Sequence, residues 1–279
     1  YIDIESILSR NIIIKNVVDY FEKNLSRYNS QSILLSYINI LQKNELDELV
    51  VSYIKDIEFK KNRILTRIYA KSLSKLNETD RAITTLEEFI ESSSVLDREV
   101  SFELLTYYLK EEKTDYAISL IDKLISIDPS DDDFIFRIAL LCFDNKKYSL
   151  SEKYFNILLS KSYASDNINF FLGQIDYKNK RYDEALLHYQ RIQKGTFVNT
   201  KALNVSKALL KKYNLERALS YIDKEIKIKN QNNLLNSLSL KLSIFEEIGE
   251  PVDIINLSTQ ILQTFPNNER ALYSRALAY

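Results

Sequence analysis

The sequence is poor in the residues that punctuate, ligate or cross-link a chain. In 279 residues there are three glycines, three prolines, one cysteine, one histidine, no methionine and no tryptophan. One cysteine cannot form an internal disulfide, and one cysteine with one histidine cannot complete a tetrahedral zinc site. The cysteine count therefore allows a reducing or an oxidising compartment. Three isolated glycines cannot build a phosphate-cradling loop. Sheet proteins need glycine and proline at many turns, so their scarcity points to helices joined by short links.

Charge of one sign is also missing. Thirty-eight Lys and Arg stand against 39 Asp and Glu, a net charge of -1. That balance argues against a nucleic-acid groove, which needs a basic stripe to displace counterions. No apolar run approaches the roughly 20 residues needed to cross a bilayer. The longest is Ile138 to Phe143. The chain begins at Tyr1 without a methionine and is expected to be a processed or trimmed protein, from which any signal peptide or lipid anchor has been removed.

Apolar residues make up 45% of the sequence, enough to bury a core and exclude disorder. Their spacing is helical: Leu104, Tyr107, Tyr108 and Ile118, Ile121, Leu124, Ile125 recur at three and four. A longer period lies above this one. A small or apolar residue opening a second helix recurs at Leu49, Ala82, Ala117, Ser151, Ala185, Ala218 and Ile254, at intervals of 33, 35, 34, 34, 33 and 36. The clearest unit reads NFFLGQIDYKNKRYDEALLHYQ over 169–190. Leu172 and Gly173 form a Leu-Gly pair, and Ala185 with Tyr189 an A-x3-aromatic step. The preceding unit offers Ile138-Ala139 and Ser151 with Phe155. Pro129 and Pro266 close two units.

These residues resemble the tetratricopeptide repeat (TPR) family, whose 34-residue pattern is W-x2-L-G-x2-Y, A-x3-F and P. The resemblance implies an all-α, right-handed superhelical solenoid of about eight helix-turn-helix repeats. The expected units are 30–62, 63–97, 98–131, 132–165, 166–198, 199–234 and 235–268, with an incomplete unit at 269–279 and a degenerate leading unit at 1–28. Apolar Leu272, Tyr273, Leu277 and Tyr279 do not look like a polar cap. The expectation is that further repeats follow, or that this end meets another molecule, a second copy included.

In this family the first helices of the repeats line a groove that receives a protein or peptide segment. The corresponding positions here are Phe102, Phe136 and Phe170, then Thr106, Leu140 and Gln174, then Leu109, Phe143 and Tyr177. They read either as a partner-binding aromatic stripe or as rings packed between neighbouring helices. Arg67, Lys71 and Lys75 form a basic column on one helix, and Lys207 with Lys211 another. Such columns suit an acidic segment, or are simply solvated faces. No Asn occupies the slot used by TPR clamps for chaperone termini.

Catalytic and metal readings are weaker. Cys142 lies among Ile138, Ala139, Leu140 and Leu141 and reads as a core thiol. His188, beside Tyr189, reads as a structural histidine. Asp128, Asp131, Asp132 and Asp133 lack the glycine and glutamate of a calcium loop and read as helix capping. The chain is therefore expected to be no enzyme and to need no cofactor or metal.

A finer resemblance covers residues 98–279. FFLGQIDYKNKRYDEALLHYQRI followed by QKGTF, and the ending ILQTFPNNERALYSRALAY, are similar to gammaproteobacterial TPR lipoproteins anchored to the outer membrane. That resemblance implies a periplasmic adaptor that holds and activates a carboxyl-terminal processing protease. The alternative is a cytoplasmic assembly scaffold unrelated to proteolysis.

Overall fold

The computed structural model describes residues 15, 16, 18–21, 23, 31–55, 62–93, 95–226 and 231–279. All regular structure among them is helical. Most of the expected 1–28 leading segment lies outside the described residues. The chain divides into two compact units, Tyr1–Pro129 and Ser130–Tyr279.

In the first unit, α1 (Gln31–Lys43) pairs with α2 (Asp47–Lys55), α3 (Arg63–Lys75) with α4 (Thr79–Ser92), and α5 (Arg98–Lys110) with α6 (Thr114–Ile127). Helix α2 also packs on α3 and α4 on α5, and α3 touches α5. The second unit repeats the scheme. Its helices are α7 (Asp132–Asp144), α8 (Tyr148–Ser160), α9 (Ser165–Lys178), α10 (Tyr182–Arg191), α11 (Val198–Lys212), α12 (Leu215–Glu225), α13 (Gln231–Ile248), α14 (Pro251–Thr264) and α15 (Glu269–Ala278). Consecutive helices pack throughout, and α11 touches α13. Helix α13 starts at Gln231, ahead of the 235 boundary expected from the repeat.

Local chemistry fixes where the helices begin. Asn62, Asp97 and Asp131 cap α3, α5 and α7 by accepting from backbone N–H groups in the first turn. Asn214 and Asn268 do the same for α12 and α15. These side chains satisfy donors that a helix start leaves without an intrahelical partner. The acidic link is thus a cap at Asp131, while Asp132 pairs with Lys161 at 2.6 Å and Asp133 accepts from the Tyr163 hydroxyl.

The turns inside the hairpins explain how the fold manages with so little glycine. Glu45, Asn77, Glu112, Lys146 and Lys180 all adopt positive φ, from 58° to 63°. The next residue donates back across the last turn each time: Leu46 to Leu41, Glu78 to Leu73, Lys113 to Tyr108, Lys147 to Cys142 and Arg181 to Asp176, at 2.8–3.0 Å. This is the Schellman motif, usually built on glycine. Here ordinary residues accept the left-handed conformation, so the turns carry no glycine signal in the sequence.

The core lies between the two helices of each hairpin and between successive hairpins. Ala139, Gly173, Ala117, Ser151, Ala185 and Ala218 are buried where helices approach closely. Tyr154, Phe155 and Tyr189 fill the space beside them and are almost wholly buried. Each large side chain of this kind stabilises the fold by about 1.5–3 kcal/mol. Cys142 belongs to this core: it is fully buried, and burial pushes its thiol up to about 12.

Candidate functional site: the face of the first helices

The residues expected to face a partner lie on α3 and α5 in the first unit and on α7, α9 and α11 in the second. Phe102 and Thr106 on α5 are half-buried. Leu109 is a correction. It is 2% exposed and belongs to the core, so no partner can touch it. Thr106, three residues earlier and about 60° round the helix, is at the edge of that buried side and stays half-exposed.

In the second unit Phe136, Leu140, Phe143, Phe170, Gln174 and Tyr177 are all partly buried. The phenylalanines meet in a ring cluster whose centre is Phe171. Phe155 stacks on Phe171 with centroids 5.4 Å apart, and Phe143 meets the same ring edge-on at 5.2 Å. Phe136 approaches it at 6.3 Å, and Phe170 stacks on Phe197 at 3.8 Å. The stripe is therefore braced from beneath, and its rings present one side rather than standing free. Phe171 was missed from the sequence because it sits next to Phe170 and off the 34-residue register of groove positions. Phe197 occupies the slot where the repeat expects proline.

Most lysines and arginines of the basic columns are held in ion pairs with acids of other helices. Arg67 reaches Glu103 at 2.9 Å and Glu99 at 2.6 Å on α5. Lys75 pairs at 3.1 Å with Asp47, a buried carboxylate on α2 that also accepts from the Ser72 hydroxyl at 2.7 Å. Only Lys71 stays exposed without an ion pair among the described residues. On α11, Lys207 and Lys211 converge on one acid of α13, Glu247, at 3.4 and 3.2 Å. Partner acids lie 28–40 residues away in sequence, so the spacing of a single helix cannot reveal them.

A second polar network lies inside the α8–α9–α10 stack. Asp176 is 4% exposed. Arg181 donates to it at 2.7 Å through Nε and reaches both oxygens of Glu152 on α8 at 2.8 and 2.9 Å. His188 Nδ1 stands 2.8 Å from Asn169 Oδ1, and its Nε2 is 3.6 Å from Asp176 Oδ2. Burial holds the imidazole below its usual pKa, against the pull of Asp176. Burial raises the Asp176 carboxyl, and Arg181 offsets part of that rise. The histidine is thus held inside a polar network between α9 and α10, while Cys142 sits in the α7 core. Among the described residues, no group of three metal-ligating side chains comes together and no helix is long and apolar enough to cross a membrane.

A tetratricopeptide-repeat family model matches residues 136–196, the segment that holds the ring cluster and the His188 network. None of the curated proteins matches the sequence. Among solved structures, the chain is similar to the C-terminal part of a TPR repeat-containing protein from Cytophaga hutchinsonii. The identity is 17%, with 86% of this chain and 98% of that one covered and a TM-score of 0.53. A tetratricopeptide repeat protein from Parabacteroides merdae aligns at 12% identity over 95% and 98% of the two chains, with a TM-score of 0.47. YrrB, described as a TPR protein with an unusual peptide-binding site, aligns at 20% identity over 70% and 98%, with a TM-score of 0.40. The match at 136–196 and the shared architecture make this an all-α protein of stacked tetratricopeptide-type helical hairpins.

Proposed function

We propose that this protein is a non-catalytic scaffold that holds another protein on the face of its first helices. One observation supports this most: Phe136, Phe143 and Phe170 form a braced aromatic surface, partly exposed, on successive first helices of the second unit. Aromatic side chains held rigid lose little entropy on binding and anchor interfaces. Leu140, Gln174 and Tyr177 extend the face, while Phe102 and Thr106 with Arg67, Lys71 and Lys75 supply its counterpart in the first unit.

The finer reading is a bacterial envelope adaptor that organises or activates a carboxyl-terminal processing protease. It rests on the resemblance of residues 98–279 to periplasmic, outer-membrane-anchored TPR lipoproteins. A cytoplasmic assembly scaffold is the alternative, and it predicts the same face with a different partner. Self-association belongs to the proposal too. Leu272, Tyr273, Leu277 and Tyr279 are exposed on and beyond α15, and a cleft of about 590 Å³ beside them is lined by Pro251, Ile254, Tyr273 and Leu277.

A photo-crosslinker placed at Gln174 tests the face, with Leu187, exposed on α10, as the control position. Crosslinking of the same partner at Gln174 and not at Leu187 is the expected result; equal capture at both removes the face. The adaptor reading predicts faster peptide cleavage when the chain is added to a carboxyl-terminal processing protease. Unchanged cleavage rejects it and leaves the scaffold reading standing.

A further inference from the structure

The lysines of α11 meet an acid placed where its own helix does not favour it. Glu247 lies in the last turn of α13, which holds no basic residue, and directly follows Glu246. A helix C-terminus carries partial negative charge and disfavours a carboxylate. Two cations from another helix compensate, Lys207 at 3.4 Å and Lys211 at 3.2 Å. Lys211 in turn sits in the last turn of α11, where a cation is favoured. Burial works against the Glu247 charge, but the Lys211 hydrogen bond and the Lys207 charge outweigh it and hold the carboxyl below its usual range. The Tyr177 phenol, from α9, lies near enough to Glu247 to sense its charge. Glu246 is engaged separately, by Arg270 at 2.7 Å and the Ser274 hydroxyl at 2.6 Å.

Two ammonium groups therefore share one carboxylate, which leaves an excess positive charge. The lysine side chains are 31% and 39% exposed and Glu247 is 29% exposed, so water and partners reach the contact. Exposed pairs of this kind contribute about 0–1 kcal/mol. A carboxylate of another chain can approach the same two lysines from the solvent side of the contact.

We infer that Glu247 is a built-in occupant of an anion subsite formed by Lys207 and Lys211, and that a carboxylate of an acidic partner segment exchanges with it. Glu247 thereby acts as a gate: while seated it ties α11 to α13 and masks both lysines, and when displaced it leaves them to the partner. The inference rests on the proposed scaffold reading and names the chemistry of the segment that reading requires.

The test uses the full chain and a fluorescein-labelled hexaglutamate peptide, read by anisotropy at low salt, with hexalysine as control. Glu247→Gln should tighten binding by roughly tenfold, the effect of removing one competing charge. Lys207→Gln and Lys211→Gln, singly and together, should weaken it. Circular dichroism checks that each variant is folded, and the single lysine variants serve if the double one is not. The inference is overturned if Glu247→Gln binds no tighter than the parent, if neither lysine change weakens binding, or if hexalysine binds as well. Crosslinking at Gln174 does not depend on these lysines, so failure here leaves the scaffold reading intact, and failure there leaves this result to stand alone.

Discussion

Gly173 on α9 lies against the ring of Tyr189 on α10, so that a methyl group added at Gly173 would stand 2.5 Å from Tyr189 Cε1 and 2.7 Å from Cδ1. No real contact is that short. The ring is almost wholly buried, between α9, α10 and α11, and has nowhere to move. This is the physical content of the Leu-Gly pair in the sequence.

Gly173→Ala is accordingly expected to destabilise the second unit. Alanine gains about 1 kcal/mol over glycine in helix propensity. Overpacking a tight core costs about 1–3 kcal/mol and outweighs that gain. The urea midpoint should fall, and Gly173→Ala combined with Tyr189→Leu should recover part of the loss. A midpoint above that of the parent would remove the steric argument.

The left-handed turn residues predict the opposite sign. Lys146 and Lys180, both at positive φ, are strained, and the strain that glycine relieves, about 1–2 kcal/mol, exceeds the entropy glycine adds to the unfolded chain, about 0.4–1 kcal/mol. Lys146→Gly or Lys180→Gly should raise stability by about 0.5–1 kcal/mol. Gly249 at φ 79° is the reciprocal case, and Gly249→Ala should lower stability by about 1 kcal/mol although no atom lies within 4 Å of the new methyl. Denaturant melts of the three variants check both signs.

The buried imidazole makes stability depend on pH. Because burial lowers the folded-state pKa of His188, the unfolded chain binds its proton first as pH falls. Stability contributed by the neutral ring is present above the unfolded value of 6.5 and is lost as pH drops from there through the folded pKa. The Asp176 carboxyl, raised by burial, acts in the other direction and only nearer the carboxylate range. His188 is the only histidine, so His188→Gln should flatten the dependence of Tm between about pH 7 and pH 5. An unchanged slope in that variant would remove His188 as the cause.

Cys142 should resist alkylation. The thiol is fully buried and held almost entirely protonated, whereas the thiolate is the reactive form. Iodoacetamide labelling is expected to be slow in native buffer and fast in urea. Rapid native labelling would place the thiol outside the core.

The sequence made the repeat legible because small residues at close helix crossings and large ones beside them must recur with the hairpin. Ala139, Gly173, Ser151, Ala185 and Ala218 could be read for that reason, as could the cap at Asp131. The candidate face was legible only in part. Phe136, Phe143 and Phe170 were found from their register, but Phe171, which braces them, lies off it. Leu109 was misplaced because its register gives no sign of burial: Phe143 and Tyr177, at the same position in later repeats, stay partly exposed. The basic columns were visible and their acids were not, since Asp47, Glu103 and Glu247 come from other helices. The left-handed turns escaped notice because Glu112, Lys146 and Lys180 give no signal for positive φ.

Arg181 has a consequence for the order in which the second unit comes apart. Its guanidinium holds Glu152 on α8 and Asp176 on α9 from the end of the α9–α10 turn. Asp176 and Arg181 belong to the same hairpin, so the buried carboxylate keeps its cation when the neighbouring hairpin separates. Only the partly exposed contact with Glu152 is given up, so the α9–α10 hairpin carries its own charge compensation and does not depend on α8 for it.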